Sequence, residues 1–123
     1  MNIPFHNDNM EQSGLDLNEF LIKRRASTFI MRVKGNSMID ANIYSGDLLI
    51  IDRSKDPVNG SIIVAVVNSE FTVKEYFKKG NKVFLISRNK KYLPLEIFPD
   101  TDFLIWGVVT FIIHYAEKNN SSC

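Results

Sequence analysis

Short runs in which apolar residues recur at every second position, separated by glycine-containing turns, constrain this 123-residue chain most strongly. In Glu70 to Lys78 the residues Phe71, Val73 and Phe77 fall on one side, which is the pattern of a half-buried strand. The almost wholly apolar run Ser61 to Val67 is typical of a strand buried on both faces. The other predicted strands are Ser27 to Lys34, Leu48 to Asp52, Lys82 to Ile86 and Phe103 to Tyr115.

Turn signals separate these runs at hairpin spacing. Asn59-Gly60 suits a turn that needs positive φ, and Gly46 and Gly80 mark two further turns. Six or seven short strands with little helix predict a mainly β fold, built as a sheet, a sandwich or a partly closed barrel. A helix of one or two turns is expected between Leu15 and Ile22, with Asp16 or Asn18 as its cap, and residues 87–101 are expected to be irregular.

The length suits one domain, which we place at residues 15–116, between a flexible N-terminal arm (1–14) and a flexible tail (117–123). The arm has neither a basic start nor an apolar run, so it does not resemble a signal peptide. The longest apolar stretch, Phe103 to Tyr115, is too short for a membrane helix. We therefore expect a cytoplasmic protein without membrane association.

The charge and the cysteine content exclude several classes of protein. With 15 basic and 14 acidic residues the net charge is +1, so the chain lacks the electrostatic footprint of a sequence-specific DNA-binding domain. Its single cysteine, Cys123, cannot form a disulfide framework. Neither a cluster of metal ligands nor a glycine-rich phosphate loop occurs, so no metal and no cofactor is expected.

The segment Gly35 to Asp40 is the most suggestive of chemistry. A glycine ends a predicted strand, Ser37 follows two residues later, and the chain then turns into a short helix through Met38 and Ile39. A serine at such a transition is exposed where backbone N–H groups converge, which suits a nucleophile with an oxyanion hole. Serine is also a common turn and cap residue, so this segment alone leaves a structural role open.

A serine nucleophile needs a base, and the histidines are poor candidates. His6 lies in the predicted arm, and His114 lies near the end of the last strand, where an ordinary strand histidine is expected. Lys74 is the better candidate, since it lies in the middle of a strand and shares a face with Thr72 and Tyr76. Loss of solvation there would lower its pKa and allow it to accept a proton, although an ordinary surface lysine fits the pattern as well.

Four ordered stretches of the sequence resemble the S24 peptidase family, which includes the LexA-type repressors and the UmuD-type mutagenesis proteins. The resemblance runs from about Leu15 to Tyr115 and includes the 37-position spacing between Ser37 and Lys74. The matching stretches are Gly35 to Asp40, Gly46 to Asp52, Gly60 to Val66 and Glu70 to Lys74.

The resemblance implies a β-rich catalytic domain, similar to those of LexA and the signal peptidases, with a Ser-Lys dyad. Ser37 would be the nucleophile, and Lys74 would be the general base and then the acid for the leaving amine. The backbone N–H groups near Ser37 and Met38 would form the oxyanion hole, and Gly35 would allow close approach of the scissile peptide. Members of the family cleave one bond of their own chain when a RecA–single-stranded DNA filament favours the cleavable conformation.

Within the family the chain is most similar to the UmuD branch. About 26 residues precede the first predicted strand, too few for the helix-turn-helix domain of a repressor. The family cleaves itself at a Cys-Gly or Ala-Gly bond, and neither dipeptide occurs here. We therefore expect a form resembling processed UmuD′, either trimmed from a precursor or naturally starting at Met1. In the second case the dyad would act in trans, or the chain would serve only as a polymerase subunit.

The resemblance also implies partners, namely a second copy of the chain and a UmuC-like Y-family polymerase for translesion synthesis. A strand over Phe103 to Tyr115 presents two apolar faces, and the second face is covered either within the monomer or by the partner of a homodimer. The faces predicted by simple alternation are Phe103, Ile105, Val109, Phe111 and Ile113 on one side and Leu104, Trp106, Val108 and Ile112 on the other. Two alternatives stay open: the self-cleaving core of a repressor, and a non-catalytic dimerisation module.

Overall fold

Seven antiparallel strands form a single sheet in the computed structural model, which describes residues 14 and 16–117. The strand order is β1-β2-β7-β3-β4-β5-β6, so the last strand of the chain lies between β2 and β3. The prediction of a mainly β fold is confirmed. The strands are β1 (Thr28–Arg32), β2 (Leu48–Asp52), β3 (Ile62–Val67), β4 (Glu70–Lys79), β5 (Lys82–Ile86), β6 (Leu95–Ile97) and β7 (Phe103–Ile113).

Helical structure is limited to α1 (Leu17–Leu21) and two 3-10 helices, Arg25–Ser27 and Ile39–Ala41. Asp16 caps α1, because its Oδ1 accepts a hydrogen bond from the Asn18 N–H at 2.9 Å, which confirms one of the two predicted caps. None of these helices, in the part of the chain that the structure describes, is long and apolar enough to cross a membrane. Apart from Gly14 and Glu117, the predicted arm and tail lie outside the described residues.

Three strand predictions need correction. β1 spans Thr28–Arg32 and is shorter at both ends than the predicted strand Ser27 to Lys34. β7 ends at Ile113 rather than Tyr115, because Ile113 pairs with Leu48 and β2 begins there, so the next residues of β7 have no partner strand. β6 lies within the segment that was predicted to be irregular, and it pairs only with β5, at the edge of the sheet. Pro94 and Pro99 flank it, and proline is tolerated beside an edge strand because fewer backbone N–H groups need partners there.

The described residues form two clusters of buried side chains on opposite faces of the sheet. Successive residues of β3 alternate between them: Val64 belongs to the first cluster, and Ile63 and Ala65 belong to the second. This confirms that the centre of β3 is buried on both faces. The first cluster comprises Met38, Ile43, Leu49, Ile51 and Val64, and the second comprises Ile63, Ala65, Tyr76, Leu85 and Val108.

The predicted faces of β7 were wrong over part of its length. Trp106, Val109 and Ile112 pack against the first cluster, whereas Val108 belongs to the second, with Ile105 packed against it. The register shifts opposite Val64/Ala65 and opposite Ile50/Ile51, and at each shift β7 contains one residue more than its partner strand. Such bulges reverse the alternation of side chains, which a strict period of two does not anticipate.

Gly107, between the two bulges of β7, is predicted to be intolerant of any side chain. A Cβ at this position would lie 2.5 Å from Ile51 Cγ2, and Ile51 is fully buried in the first cluster. We expect Gly107→Ala to lower the free energy of unfolding by about 1–3 kcal/mol through overpacking, measured by urea denaturation. Gly14→Ala, where a Cβ meets nothing within 4 Å, is the control, and equal stability of the two variants would contradict the prediction.

Candidate active site

Ser37 lies in the loop that follows β1. Gly35, two residues earlier, has φ +85°, a conformation that glycine adopts without strain and that turns the chain out of the strand direction. The 3-10 helix Ile39–Ala41 begins two residues after Ser37. The predicted arrangement of strand, glycine, serine and short helix is therefore present, with Met38 as the residue that precedes the helix.

Met38 anchors this loop to the sheet. Its side chain is 2% exposed and lies in the first buried cluster with Ile43 and Leu49. Its Sδ also accepts a hydrogen bond from the Arg88 backbone N–H at 3.3 Å. Because Met38 is adjacent to Ser37, packing of one side chain limits the movement of the other.

β4 brings Lys74 to Ser37, although the two residues are 37 positions apart. The distance between Lys74 Nζ and Ser37 Oγ is 3.3 Å. Lys74 Nζ also lies 2.8 Å from Thr72 Oγ1 and 3.2 Å from the Val73 carbonyl oxygen. Thr72 and Lys74 share one face of β4, as the alternation predicts, so the threonine holds the amine at its place beside the serine.

Burial lowers the pKa of the Lys74 ammonium below its ordinary value of 10.5, because desolvation disfavours the charged form. The salt bridges among the described residues involve other groups, and none places a carboxylate on Lys74. A neighbouring carboxylate would stabilise the ammonium and oppose this effect. The surroundings of Lys74 therefore shift its protonation equilibrium towards the neutral amine, which is the form able to accept a proton.

The contacts of the amine match the hydrogen-bonding capacity of its neutral form. A neutral amine has two N–H donors and one lone pair. The Val73 carbonyl can only accept, and the Thr72 hydroxyl can accept the second N–H, which leaves the lone pair for the Ser37 hydroxyl proton. In the charged form all three contacts would be donated by Nζ, and Ser37 would not be activated.

Ser37 opens onto a cleft of about 270 Å³. The polar side chains that line it include Arg32, Lys34 and Thr72, and Gly35 lies beside the serine. Such a cleft suits a short apolar segment of polypeptide with its backbone close to Ser37. The apolar side chains that line it are Met31, Val33, Met38, Leu49, Val64, Phe71 and Val73.

The histidines play no part in this constellation among the described residues. His114 follows β7, and its Nδ1 lies 2.9 Å from Oδ2 of the buried Asp47. The same Asp47 carboxylate accepts a hydrogen bond from the Tyr44 N–H at 2.8 Å, so the pair fastens the end of β7 to the turn before β2. His6 lies outside the described residues.

Two residues near the dyad were not found by sequence reasoning. The Asn89 side chain donates a hydrogen bond to the Asn36 carbonyl oxygen at 2.8 Å, and the Arg88 carbonyl accepts one from the Asp40 N–H at 2.7 Å. Both lie in the segment that was predicted to be irregular, where no periodic pattern indicates a role. Only their contacts across the fold reveal them.

No group of three or more histidine, cysteine, aspartate or glutamate side chains that could hold a metal ion occurs among residues 14 and 16–117.

Comparison with known proteins agrees with the resemblance in the sequence. A family model described as Peptidase S24-like matches residues 1–110. Protein MucA of Salmonella typhimurium is 40% identical over 101 residues, which are 81% of this chain and 68% of MucA. Protein SamA of Salmonella typhimurium is 40% identical over 109 residues, covering 89% of this chain and 75% of SamA.

A repressor is also similar over a shorter region. The LexA repressor of Shewanella piezotolerans is 46% identical over 74 residues, which are 60% of this chain and 36% of that protein. The family model covers most of the chain. The alignments with MucA and SamA, each 40% identical, cover more than two thirds of those proteins. The predicted resemblance is confirmed, and the chain belongs to the S24 peptidase family.

Proposed function

We propose that this chain is a self-cleaving peptidase of UmuD type, in which Ser37 is the nucleophile and Lys74 is the general base. The observation that carries the proposal is the 3.3 Å distance between Lys74 Nζ and Ser37 Oγ, together with the lowered pKa of that lysine. A nucleophile within hydrogen-bond distance of a base that is driven towards neutrality is the arrangement that acyl transfer needs. Membership in the S24 family supports the same chemistry.

The reaction follows from these positions. Lys74 Nζ accepts the Ser37 hydroxyl proton while Oγ attacks the scissile carbonyl, and the carbonyl oxygen becomes an oxyanion. The backbone N–H groups of Ser37 and Met38 stabilise that charge. Lys74 then gives the proton to the leaving amine, the C–N bond breaks, and an acyl-serine remains. Water, deprotonated by Lys74, hydrolyses the ester and restores Ser37.

We assign the biological role of the UmuD branch to the chain. In this role the protein acts in the cytoplasm during SOS mutagenesis, cleavage is favoured by a RecA–single-stranded DNA filament, and the processed form joins a UmuC-like Y-family polymerase. Support comes from the extent of the alignments, which cover 68% of MucA and 75% of SamA but only 36% of the LexA repressor. The contact between Ser37 and Lys74 fits this role as well.

A homodimer is part of the proposal. Phe71, Leu104 and Phe29 are 58%, 53% and 41% exposed, and the rings of Phe29 and Phe71 both contact Trp106 of β7. An apolar surface of this kind on a monomer favours association with another protein surface.

The second candidate function is the self-cleaving core of a LexA-type repressor, which the 46% identity over 74 residues favours. Both candidates use the same dyad, so cleavage does not separate them. The neighbouring genes separate them. A polymerase gene directly downstream supports the mutagenesis role. The absence of such a gene, together with a DNA-binding domain upstream in the same reading frame, supports the repressor.

Cleavage in trans is expected to need both members of the dyad. The substrate is the Ser37→Ala protein extended at its N-terminus by an arm that contains a Cys-Gly bond, and products are measured by electrophoresis and mass spectrometry. Ser37→Ala enzyme should be inactive, and Lys74→Ala should lower the rate by about 10²–10⁴-fold, the usual contribution of a general base. Lys78→Ala, which removes an exposed lysine from the same strand, is the matched control and should retain full activity.

Two other outcomes of this assay would contradict parts of the proposal. A wild-type protein that is folded and dimeric but cleaves no substrate would contradict the peptidase proposal and favour the non-catalytic dimerisation module. Cleavage by Lys74→Ala at the wild-type rate would remove the general-base role while leaving the peptidase intact.

The cleavage rate is expected to rise with pH to a plateau, and the midpoint of this rise should lie below pH 10.5. The reason is that only neutral Lys74 accepts the serine proton and that desolvation lowers its pKa. The measurement is the initial rate in trans between pH 6 and pH 10.5. His114→Asn is the control and should leave the midpoint unchanged, since His114 bonds to Asp47 rather than to the dyad. A midpoint that disappears in His114→Asn would show that the titrating base is not Lys74.

A further inference from the structure

The segment that follows β5 contacts both elements that carry the proposed dyad, namely the loop of Ser37 and the strand β4. Ser87 is buried, and Arg88 and Asn89 extend from it across the loop that carries Ser37. No periodic pattern marks this segment in the sequence, and the proposed chemistry assigns it no part. A role of this segment in the reaction rests on the proposed peptidase function.

On the serine side, the segment holds the loop at three points. Asn89 Nδ2 donates to the Asn36 carbonyl at 2.8 Å, and the Arg88 N–H donates to Met38 Sδ at 3.3 Å. The Arg88 carbonyl accepts the Asp40 N–H at 2.7 Å. The three points lie before, beside and after Ser37, so the segment fixes the path of the loop rather than one side chain.

On the lysine side, the same segment is tied to β4. Ile86, the last residue of β5, pairs with Glu75, and Glu75 is the neighbour of Lys74. The Arg88 guanidinium binds the Glu75 carboxylate through two contacts, Nε to Oε1 at 2.6 Å and Nη2 to Oε2 at 2.9 Å. A bidentate pair fixes orientation as well as distance. The segment thus sets the position of the serine loop relative to the strand that carries the base.

The Asn89 contact acts on one particular peptide unit. The Asn36 carbonyl and the Ser37 N–H belong to the same planar trans peptide, so they point in opposite directions. Holding the carbonyl therefore directs the N–H. The Ile39 N–H also reaches this carbonyl, but at 3.3 Å, which makes Asn89 the closer of its two donors.

The Ser37 N–H remains available for a reacting group. Among residues 14 and 16–117, each residue from Ile39 to Ile43 donates a backbone hydrogen bond, and none is donated by the N–H groups of Ser37 or Met38. An N–H group that is held in direction but not already bonded is what an oxyanion hole requires, because no reorganisation is then needed during the reaction.

We propose that Asn89 is a positioning residue, which orients the Ser37 N–H towards the oxyanion by donating its side-chain hydrogen bond to the Asn36 carbonyl. It touches neither the substrate nor the reacting atoms. Its effect is to hold the peptide unit in the direction that the developing negative charge needs.

One substitution separates this role from a local structural one. Asn89 Oδ1 accepts a hydrogen bond from the Lys91 N–H at 3.0 Å, a contact that shapes its own turn. Asn89→Asp keeps an acceptor for Lys91 and removes the donor to Asn36, whereas Asn89→Ala removes both contacts. If Asn89 only shaped its turn, Asn89→Asp would behave as wild type.

The kinetic test uses the same cleavage in trans, with kcat and KM measured separately. Asn89→Asp and Asn89→Ala should each lower kcat by about tenfold or more, and by no more than the roughly 10²–10³-fold that complete loss of one oxyanion donor costs, and KM should change little. Asn59→Asp is the matched control, because Asn59 also uses Nδ2 to hold a backbone carbonyl, that of Lys78, at 3.1 Å. A kcat of Asn89→Asp equal to that of Asn59→Asp overturns the proposal.

A second measurement does not depend on cleavage. The ¹⁵N order parameter of the Ser37 N–H should be that of rigid backbone, about 0.85, in the wild type, and should fall in Asn89→Asp but not in Asn59→Asp. An unchanged value overturns the inference even if the enzyme is active. If the wild-type protein cleaves nothing but the order parameter of the Ser37 N–H still falls in Asn89→Asp, the positioning role of Asn89 is supported and the peptidase proposal is contradicted.

Discussion

The contact between Lys74 Nζ and Ser37 Oγ depends on nearly every other feature of this fold. A lysine loses most of its use as a base when water stabilises its ammonium, so the amine has to be withdrawn from solvent without receiving a carboxylate partner. β4 achieves this by placing Lys74 in the middle of the strand, where it pairs with Ile63 of β3. Ser37 comes from a different part of the chain, on a loop whose position is fixed by the burial of Met38 and by hydrogen bonds to the segment that follows β5. The sheet thus positions the proposed base, and packing in the core positions the loop of the proposed nucleophile.

The two buried clusters explain how a single sheet holds the loop that carries Ser37. The first cluster includes Met38 and Ile43 from the segment between β1 and β2, so that segment covers one face of the sheet and becomes part of its core. The second cluster packs on the opposite face around Ile63 and Leu85. Burying an apolar side chain stabilises its position by roughly 1.5–3 kcal/mol, which is enough to order a loop that has little regular structure of its own. Order in the loop comes from the same burial that stabilises the sheet.

Local patterns predicted most of the strands, because alternation and turn chemistry are determined by residues that are adjacent in the sequence. They also predicted which residues share a face with Lys74. They failed at β7, where two bulges shift the register, since a bulge depends on the partner strand rather than on the strand's own pattern. They missed β6, whose 3 residues are too few to show a period. For the site, the motif spacing and the family resemblance indicated Ser37 and Lys74, but the Asn89 contact joins residues 53 positions apart and leaves no local signal.

Placing the base in this environment has a thermodynamic cost that follows from the same physics. Because the folded state disfavours the ammonium, the unfolded chain binds more protons than the folded chain between the lowered pKa of Lys74 and 10.5. Lys74 therefore reduces the stability of the protein at neutral pH, and this penalty fades as the pH rises through that window. Thr72 and the Val73 carbonyl offset part of it by accepting hydrogen bonds from the amine. An apolar residue at this position would avoid the desolvation penalty, so packing alone does not explain a lysine here. The proposed role of Lys74 as the base for Ser37 does explain it.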